Sequence, residues 1–178
     1  MRIIAGHWRG RAITAPPGAA TRPTADRVRE ALFSMLTSRL GSFDGLRVFD
    51  GFAGTGALGL EAMSRGAVHG TFVENDAAAV KVLRTNIAGM KFAADVIVAP
   101  LEAIGTAPAA CNVIMLDPPY GSGLAEPALA RLIERGWVAP HALISVETSK
   151  KEVIIGAFEV LAVRDHGKAR LHLLRAGP

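Results

Sequence analysis

The sequence predicts an α/β domain built on a doubly wound, mostly parallel sheet, finished by a C-terminal antiparallel hairpin and preceded by a small N-terminal extension. Three observations lead there. Short apolar runs alternate with stretches of helical periodicity through the middle of the chain, the pattern of a parallel sheet covered on both faces. A glycine-rich loop follows the first of these runs and opens a helix. The last two apolar runs, Phe158–Val163 and Arg170–Leu174, are separated only by Arg164–Ala169, too few residues for a helical crossover, so they pair antiparallel.

Taken in order, Arg2–Ala5 and Arg11–Ala15 read as short extended pieces set off by Gly6 and Gly10, and Pro16-Pro17-Gly18 then breaks regular structure. A helix is expected from Thr24, an N-cap just after Pro23, to just before Gly41, burying Val28, Ala31, Leu32, Met35 and Leu36 at helical spacing. Buried strands are expected at Leu46–Phe49, Thr71–Val73, Val96–Val98, Val113–Leu116 and Leu143–Val146. Helices at Ala57–Ser64, Ala77–Ala88 and Leu124–Glu134 lie between most of them, and right-handed crossovers make the sheet doubly wound. Residues 1–41 form the extension and 42–178 the core; 178 residues suit one compact domain.

Composition narrows the function. No apolar run approaches the ~20 residues that cross a bilayer, and Arg2, His7, Arg9 and Arg11 interrupt any signal-peptide core. A cytoplasmic protein with no membrane partner is expected. The single cysteine, Cys111, precedes an apolar run and reads as a buried, inert thiol. The five histidines form no i,i+4 pair and no cluster with cysteine, so no metal is expected. The net charge of +4 is unevenly placed: residues 1–30 hold six arginines against Asp26 and Glu30, which leaves fourteen basic and fourteen acidic residues in the neutral remainder. Arg9, Arg11, Arg22, Arg27 and Arg29 are candidates for phosphate contacts, since guanidinium groups pair bidentately with phosphate. Ion pairs with Asp26 or Glu30 are the structural alternative.

Two loops carry the chemistry. Asp50-Gly51-Phe52-Ala53-Gly54-Thr55-Gly56 follows the first strand, at the edge where open parallel sheets bind ligands. Gly54 to Gly59 also reads G-x-G-x-x-G, and Glu74 ends the next strand where an acid would hold a ribose. That is a dinucleotide fingerprint, so a nicotinamide oxidoreductase is a rival. Asp50 argues against it, because an acid there suits a cationic amino group and repels a pyrophosphate. The second loop, Asp117-Pro118-Pro119-Tyr120, follows the run Asn112–Leu116. The Asp117 carboxylate and the Pro118 carbonyl can accept both hydrogens of an exocyclic base amine. That holds its nitrogen in line for attack and stabilises the charge it develops. Tyr120 can stack on the base and hold it extruded.

With both loops in place, the chain resembles the bacterial 16S rRNA guanine-N2 methyltransferase family. The stretches RIIAGHWRGR (Arg2–Arg11), TRPTADRVREALFSML (Thr21–Leu36), DGFAGTGALGLEAMSRG (Asp50–Gly66), Asp117–Tyr120 and VETSKKE (Val146–Glu152) carry the resemblance, which weakens in the final hairpin. It implies a class I methyltransferase (Rossmann-like) fold using S-adenosyl-L-methionine. Cofactor binding falls to Asp50, Phe52, Ala53, Gly54, Thr55, Gly56, Glu74, Asn75, Leu101 and Glu102. Asp117, Pro118, Pro119 and Tyr120 hold the target guanine. The N-terminal arginines contact small-subunit rRNA, free or in an assembled subunit. Separately from the resemblance, a monomer is expected.

Three positions depart from the family pattern. Ala99-Pro100-Leu101-Glu102 lacks the usual Asp or Asn, leaving a backbone carbonyl or Glu102 to meet the adenine amine. His166-Gly167 stands where Tyr-Gly is common, and Gly51 replaces a bulkier residue, which is expected to loosen the loop. Other rivals are a DNA adenine-N6 methyltransferase, for which a target-recognition domain is missing, and a non-catalytic RNA-binding or assembly factor.

Overall fold

In the computed structural model, which describes residues 1–16, 23–152, 154 and 156–178, the central alternation becomes seven strands and four α-helices. The strands are β1 (Arg47–Gly51), β2 (His69–Glu74), β3 (Ala94–Val98), β4 (Cys111–Leu116), β5 (Val138–Ser149), β6 (Glu159–His166) and β7 (Ala169–Arg175). The helices are α1 (Pro23–Leu40), α2 (Ala57–Ser64), α3 (Ala77–Met90) and α4 (Ala125–Glu134), with a 3-10 turn at Leu101–Ala103. All strands join one sheet in the order β3-β2-β1-β4-β5-β7-β6. The five-strand part is parallel, and β7 runs antiparallel to both β5 and β6. The predicted fold class is therefore met. The hairpin is tighter than expected: most of Arg164–Ala169 is strand, and only Gly167 and Lys168 turn.

The chain order reverses between β1 and β4, so the loops leaving their carboxyl ends diverge and open a crevice there. One face of the sheet packs Phe49, Leu116, Ile144 and Val146 against Leu129 and Leu132 of α4. The other packs Val48, Val113 and Met115 against α1 and α2. Cys111 is buried as expected, and burial pushes its thiol up to about 11, where it stays protonated and unreactive. No described helix is long and apolar enough to cross a membrane.

Helix α1 corrects two expectations. It starts at Pro23, a position in the first turn where the missing amide hydrogen has no intrahelical use, so Thr24 lies inside the helix. Its buried stripe is Arg29, Leu32, Phe33 and Leu36, whereas Val28, Ala31 and Met35 are only half-buried. Both sets fit a helical period. Phe33, against Phe43 at 5.7 Å, and the inward Arg29 set the rotation.

The two extended N-terminal pieces meet at one antiparallel bridge, Arg2 with Ala12, and form an arm docked on α2 and α3. Ile3 and Ile13 bury beside Leu60, Phe72, Leu83 and Met90. The fully buried Glu61 carboxylate accepts the Ile4 and Ala5 amides at 2.7 and 3.0 Å and pairs with Arg65 at 2.8 Å. Asn86 accepts the Thr14 amide at 3.0 Å and donates to the carbonyls of Thr14 (3.0 Å) and Thr55 (2.9 Å). The arm is thus tied to the glycine loop.

Candidate active site

The loop after β1 is built by its own main chain. Gly56, at φ +83°, caps α2 in a conformation that side-chain-bearing residues rarely adopt. Asp50 lies at 2 % exposure and accepts the Gly59 amide at 2.8 Å. Burial pushes its carboxyl up to about 8; the Gly59 hydrogen bond opposes the rise, and nearby Asp117 and Glu74 add to it. A cation placed beside Asp50 would reverse that shift. Glu74 accepts the Gly54 amide at 2.7 Å and those of Asn75 and Asp76 at 2.8 Å each. A carboxylate offers about four acceptor positions, so these three amides leave room for one hydroxyl.

Gly51 does not loosen the loop. A Cβ there would lie 2.5 Å from Leu116 and 2.6 Å from Leu101, whose side chains fill the space a larger residue would take.

A cavity of about 200 Å³ lies beside this loop, lined by Phe52, Val73, Glu74, Asn75, Pro100, Leu101, Glu102 and Pro119 among others. Leu101 is buried in its floor, whereas Asn75 and Glu102 are exposed at its rim. Every residue of the cofactor set therefore sits in the glycine loop or around this cavity. The faces of Phe52, Leu101 and Pro119 suit a flat ring, and the carboxylates suit a diol and an ammonium group.

A groove of about 870 Å³ lies on the other side of the Asp117–Tyr120 loop. Asp117, Tyr120, Ser145 and Glu147 line it with Arg29, Leu32 and Thr55, and the His166–Lys168 turn of the hairpin closes one end. Asp117 opens onto the groove, yet enough protein surrounds it to raise its carboxyl above the usual range. Pro118 is buried and holds the turn; Pro119 is exposed and faces the smaller cavity. Tyr120 is 66 % exposed, and its hydroxyl donates to the Lys168 carbonyl at 3.4 Å, so its ring stands free for a partner.

The N-terminal arginines divide. Arg9, Arg11 and Arg27 are exposed, with Arg11 stacked 4.9 Å from the Trp8 ring. Arg29 is 5 % exposed, donates to the Arg2 carbonyl at 2.6 Å and pairs with Asp26 at 3.2 Å, the structural alternative noted above. Its place is the wall of the groove. Arg22 lies outside the described residues. Sequence reasoning missed Glu147 as a site residue. Its signal was an acid directly after the buried run Leu143–Val146, at the sheet edge that also carries Asp117. Among the described residues, no group of three or more His, Cys, Asp or Glu side chains is placed to hold a metal.

Residues 1–175 match the model of a protein family described as Conserved hypothetical protein 95. Ribosomal RNA small subunit methyltransferase D of Haemophilus influenzae is 40 % identical over 165 residues, covering 87 % of this chain and 82 % of that one. The Escherichia coli protein of the same name is 40 % identical over 150 residues, covering 83 % and 74 %. The chain belongs to this methyltransferase family. The solved structure of the Escherichia coli yhhF protein superposes with a TM-score of 0.87 at 35 % identity, covering 99 % of this chain and 98 % of the other. The resemblance read from the sequence is thereby met, and the nicotinamide oxidoreductase falls away.

Proposed function

We propose that this protein transfers a methyl group from S-adenosyl-L-methionine to the exocyclic N2 of a guanine in small-subunit rRNA. The observation that carries the reading is the shared wall: the Asp117–Tyr120 loop presents Pro119 to the nucleoside-sized cavity and Asp117 and Tyr120 to the groove. A donor on one side and an acceptor base on the other would meet across it. Membership of the family and the names of its relatives support the same reaction.

The cofactor supplies a methyl group already activated on a sulfonium, so the chain's work is to bind, orient and accept protons. Asp50 would hold the ammonium end, which would draw its carboxyl back to the ionised form. Glu74 would take a ribose hydroxyl at its free acceptor position, and Phe52 and Leu101 would hold the adenine by apolar contact. Asp117 and the Pro118 carbonyl accept the two amine hydrogens, turning the nitrogen lone pair toward the methyl group and stabilising the positive charge that grows on it. Tyr120 stacks on the extruded base. Arg9, Arg11 and Arg27 hold RNA phosphates, and residues 1–41 act as the RNA-contacting extension of the 42–178 core. The setting is the cytoplasm, the substrate is the RNA or the subunit assembled on it, and the protein works as a monomer.

The test is direct. Small subunits from cells lacking this protein are incubated with it and radiolabelled S-adenosylmethionine, and the labelled nucleoside is identified. N2-methylguanosine at one position is the expected product; label confined to adenine, or to DNA, overturns the reading.

A further inference from the structure

The groove holds an acid that the reaction just described does not use. Leu116, the last residue of β4, is paired with Val146 of β5, so Asp117, just past the end of β4, comes beside Glu147, which is still within β5. Side chains alternate along a strand, so both point away from the face that Leu116 and Val146 share, toward the α1 side, where Ser145 also faces the groove. Neither carboxylate receives a hydrogen bond from any described residue, in contrast to Asp50, Glu61 and Glu74. Burial first, and Asp117 second, push the Glu147 carboxyl up to about 7. Two adjacent acceptors facing an open groove lack donors, and the missing donors define the ligand.

We infer that Glu147 reads the base, accepting the N1 hydrogen of the guanine whose 2-amino group Asp117 holds. The inference rests on the guanine-N2 reading above and extends it to base choice. On its Watson–Crick edge guanine presents N1–H beside the 2-amino group, two donor nitrogens bonded to the same carbon. Adenine presents a lone pair at N1 and no amine at C2. Two acceptors on neighbouring strands match the first edge and oppose the second. A carboxyl group keeps an accepting oxygen whether or not it is protonated, so the N1–H contact survives a half-titrated Glu147. A site built around a buried hydrogen bond rejects a base lacking the matching donor more strongly than an apolar pocket rejects a small change of shape. Asp117 thus orients the nucleophile, and Glu147 decides which purine is admitted.

The experiment separates base choice from rate. Wild-type protein is first used to map the methylated guanine in small subunits. Subunits are then reconstituted with either guanine or 2,6-diaminopurine at that position by ligating a synthetic RNA fragment. Diaminopurine keeps the 2-amino nucleophile and replaces N1–H with a lone pair. The wild-type protein should favour guanine in kcat/KM by about 10- to 100-fold, the discrimination expected of one well-made base contact. Glu147→Gln, whose amide can either accept from or donate to N1, should bring the ratio to within a few-fold of unity. Glu147→Ala should narrow it by losing rate on guanine alone. The ratio is internal to each variant, so partial unfolding does not imitate the effect. A fall by the same factor on both bases, as a general base or a structural residue would give, overturns the inference while leaving the methyltransferase reading intact. Wild-type protein that methylates neither base overturns both.

Discussion

The two sides of the Asp117–Tyr120 loop are built on opposite principles. On the side of the smaller cavity the two acids of the strand ends are already engaged: Glu74 by three backbone amides and Asp50 by the Gly59 amide, within a loop braced by Leu101, Leu116 and Asn86. On the groove side neither Asp117 nor Glu147 receives a hydrogen bond from any described residue, and Tyr120 stands largely in solvent. The first half is formed before its ligand arrives. The second is polar and open, and in the proposed reaction the base supplies its donors. A small, invariant cofactor suits the one arrangement, and selection among similar bases suits the other.

The sharpest way to break this contrast is at Asp117. Asp117→Ala should lower methyl transfer by at least about 10²–10³-fold, leave cofactor affinity within a few-fold, and leave the melting temperature unchanged or raised, because it removes an unmatched acid. Radiolabel transfer, calorimetry and a melting curve read the three quantities. Loss of cofactor binding in that variant would place Asp117 on the wrong side. Glu74→Ala should do the reverse. Three amides lose their acceptor, so S-adenosylmethionine binding should weaken by about 1.5–3 kcal/mol and the melting temperature should fall.

Tyr120→Ala should weaken productive RNA binding by about 1–3 kcal/mol, the range for one stacked base, whereas Tyr120→Phe should keep most activity. Full activity in the alanine variant removes stacking from the mechanism. A smaller effect concerns pH. The folded protein holds protons on Asp50 up to about 8 and on Glu147 up to about 7, while the unfolded chain releases them near 4. The folded state thus binds more protons, and these two groups make stability fall as pH rises from about 4 to about 8. Asp50→Asn should remove its share of the decline across the whole window, including all of it between about 7 and 8, by a few degrees of melting temperature. Glu147→Gln should remove the part ending near 7. An identical pH profile in the variants would mean that both acids ionise freely.

The smallest effect tests the arm. Arg9→Gln, Arg11→Gln and Arg27→Gln should each flatten the log–log salt dependence of RNA binding by about 0.7, without changing which nucleotide is methylated. Arg29→Gln should instead lower thermal stability, since its guanidinium holds the Arg2 carbonyl and Asp26. Parent slopes in all three exposed variants would move the RNA surface elsewhere.

What could be read from the chain follows from what is local. Asp50–Gly56 and Asp117–Tyr120 are contiguous, each at the end of a strand, so residue order alone displayed them. Glu147 stands thirty residues after Asp117, and only the register of Leu116 with Val146 makes them neighbours. Arg29 was misjudged for a related reason. Helical periodicity fixes the spacing of a buried stripe but not its rotation when polar and apolar residues alternate closely, and here Phe33 decided the phase. Gly51 looked like slack in the loop because the side chains that fill it, Leu101 and Leu116, come from other elements.

Asn86 carries a further consequence. Its single carboxamide serves Thr14 of the arm and Thr55 of the glycine loop at once. Lifting the arm therefore exposes the Thr14 amide to exchange and, in the same motion, leaves the Thr55 carbonyl sharing a side chain that has lost its other partners. The arm and the loop are thus expected to open as one unit, because both hang on Asn86 of α3. A cofactor that quiets the loop should therefore also slow deuterium uptake at Thr14.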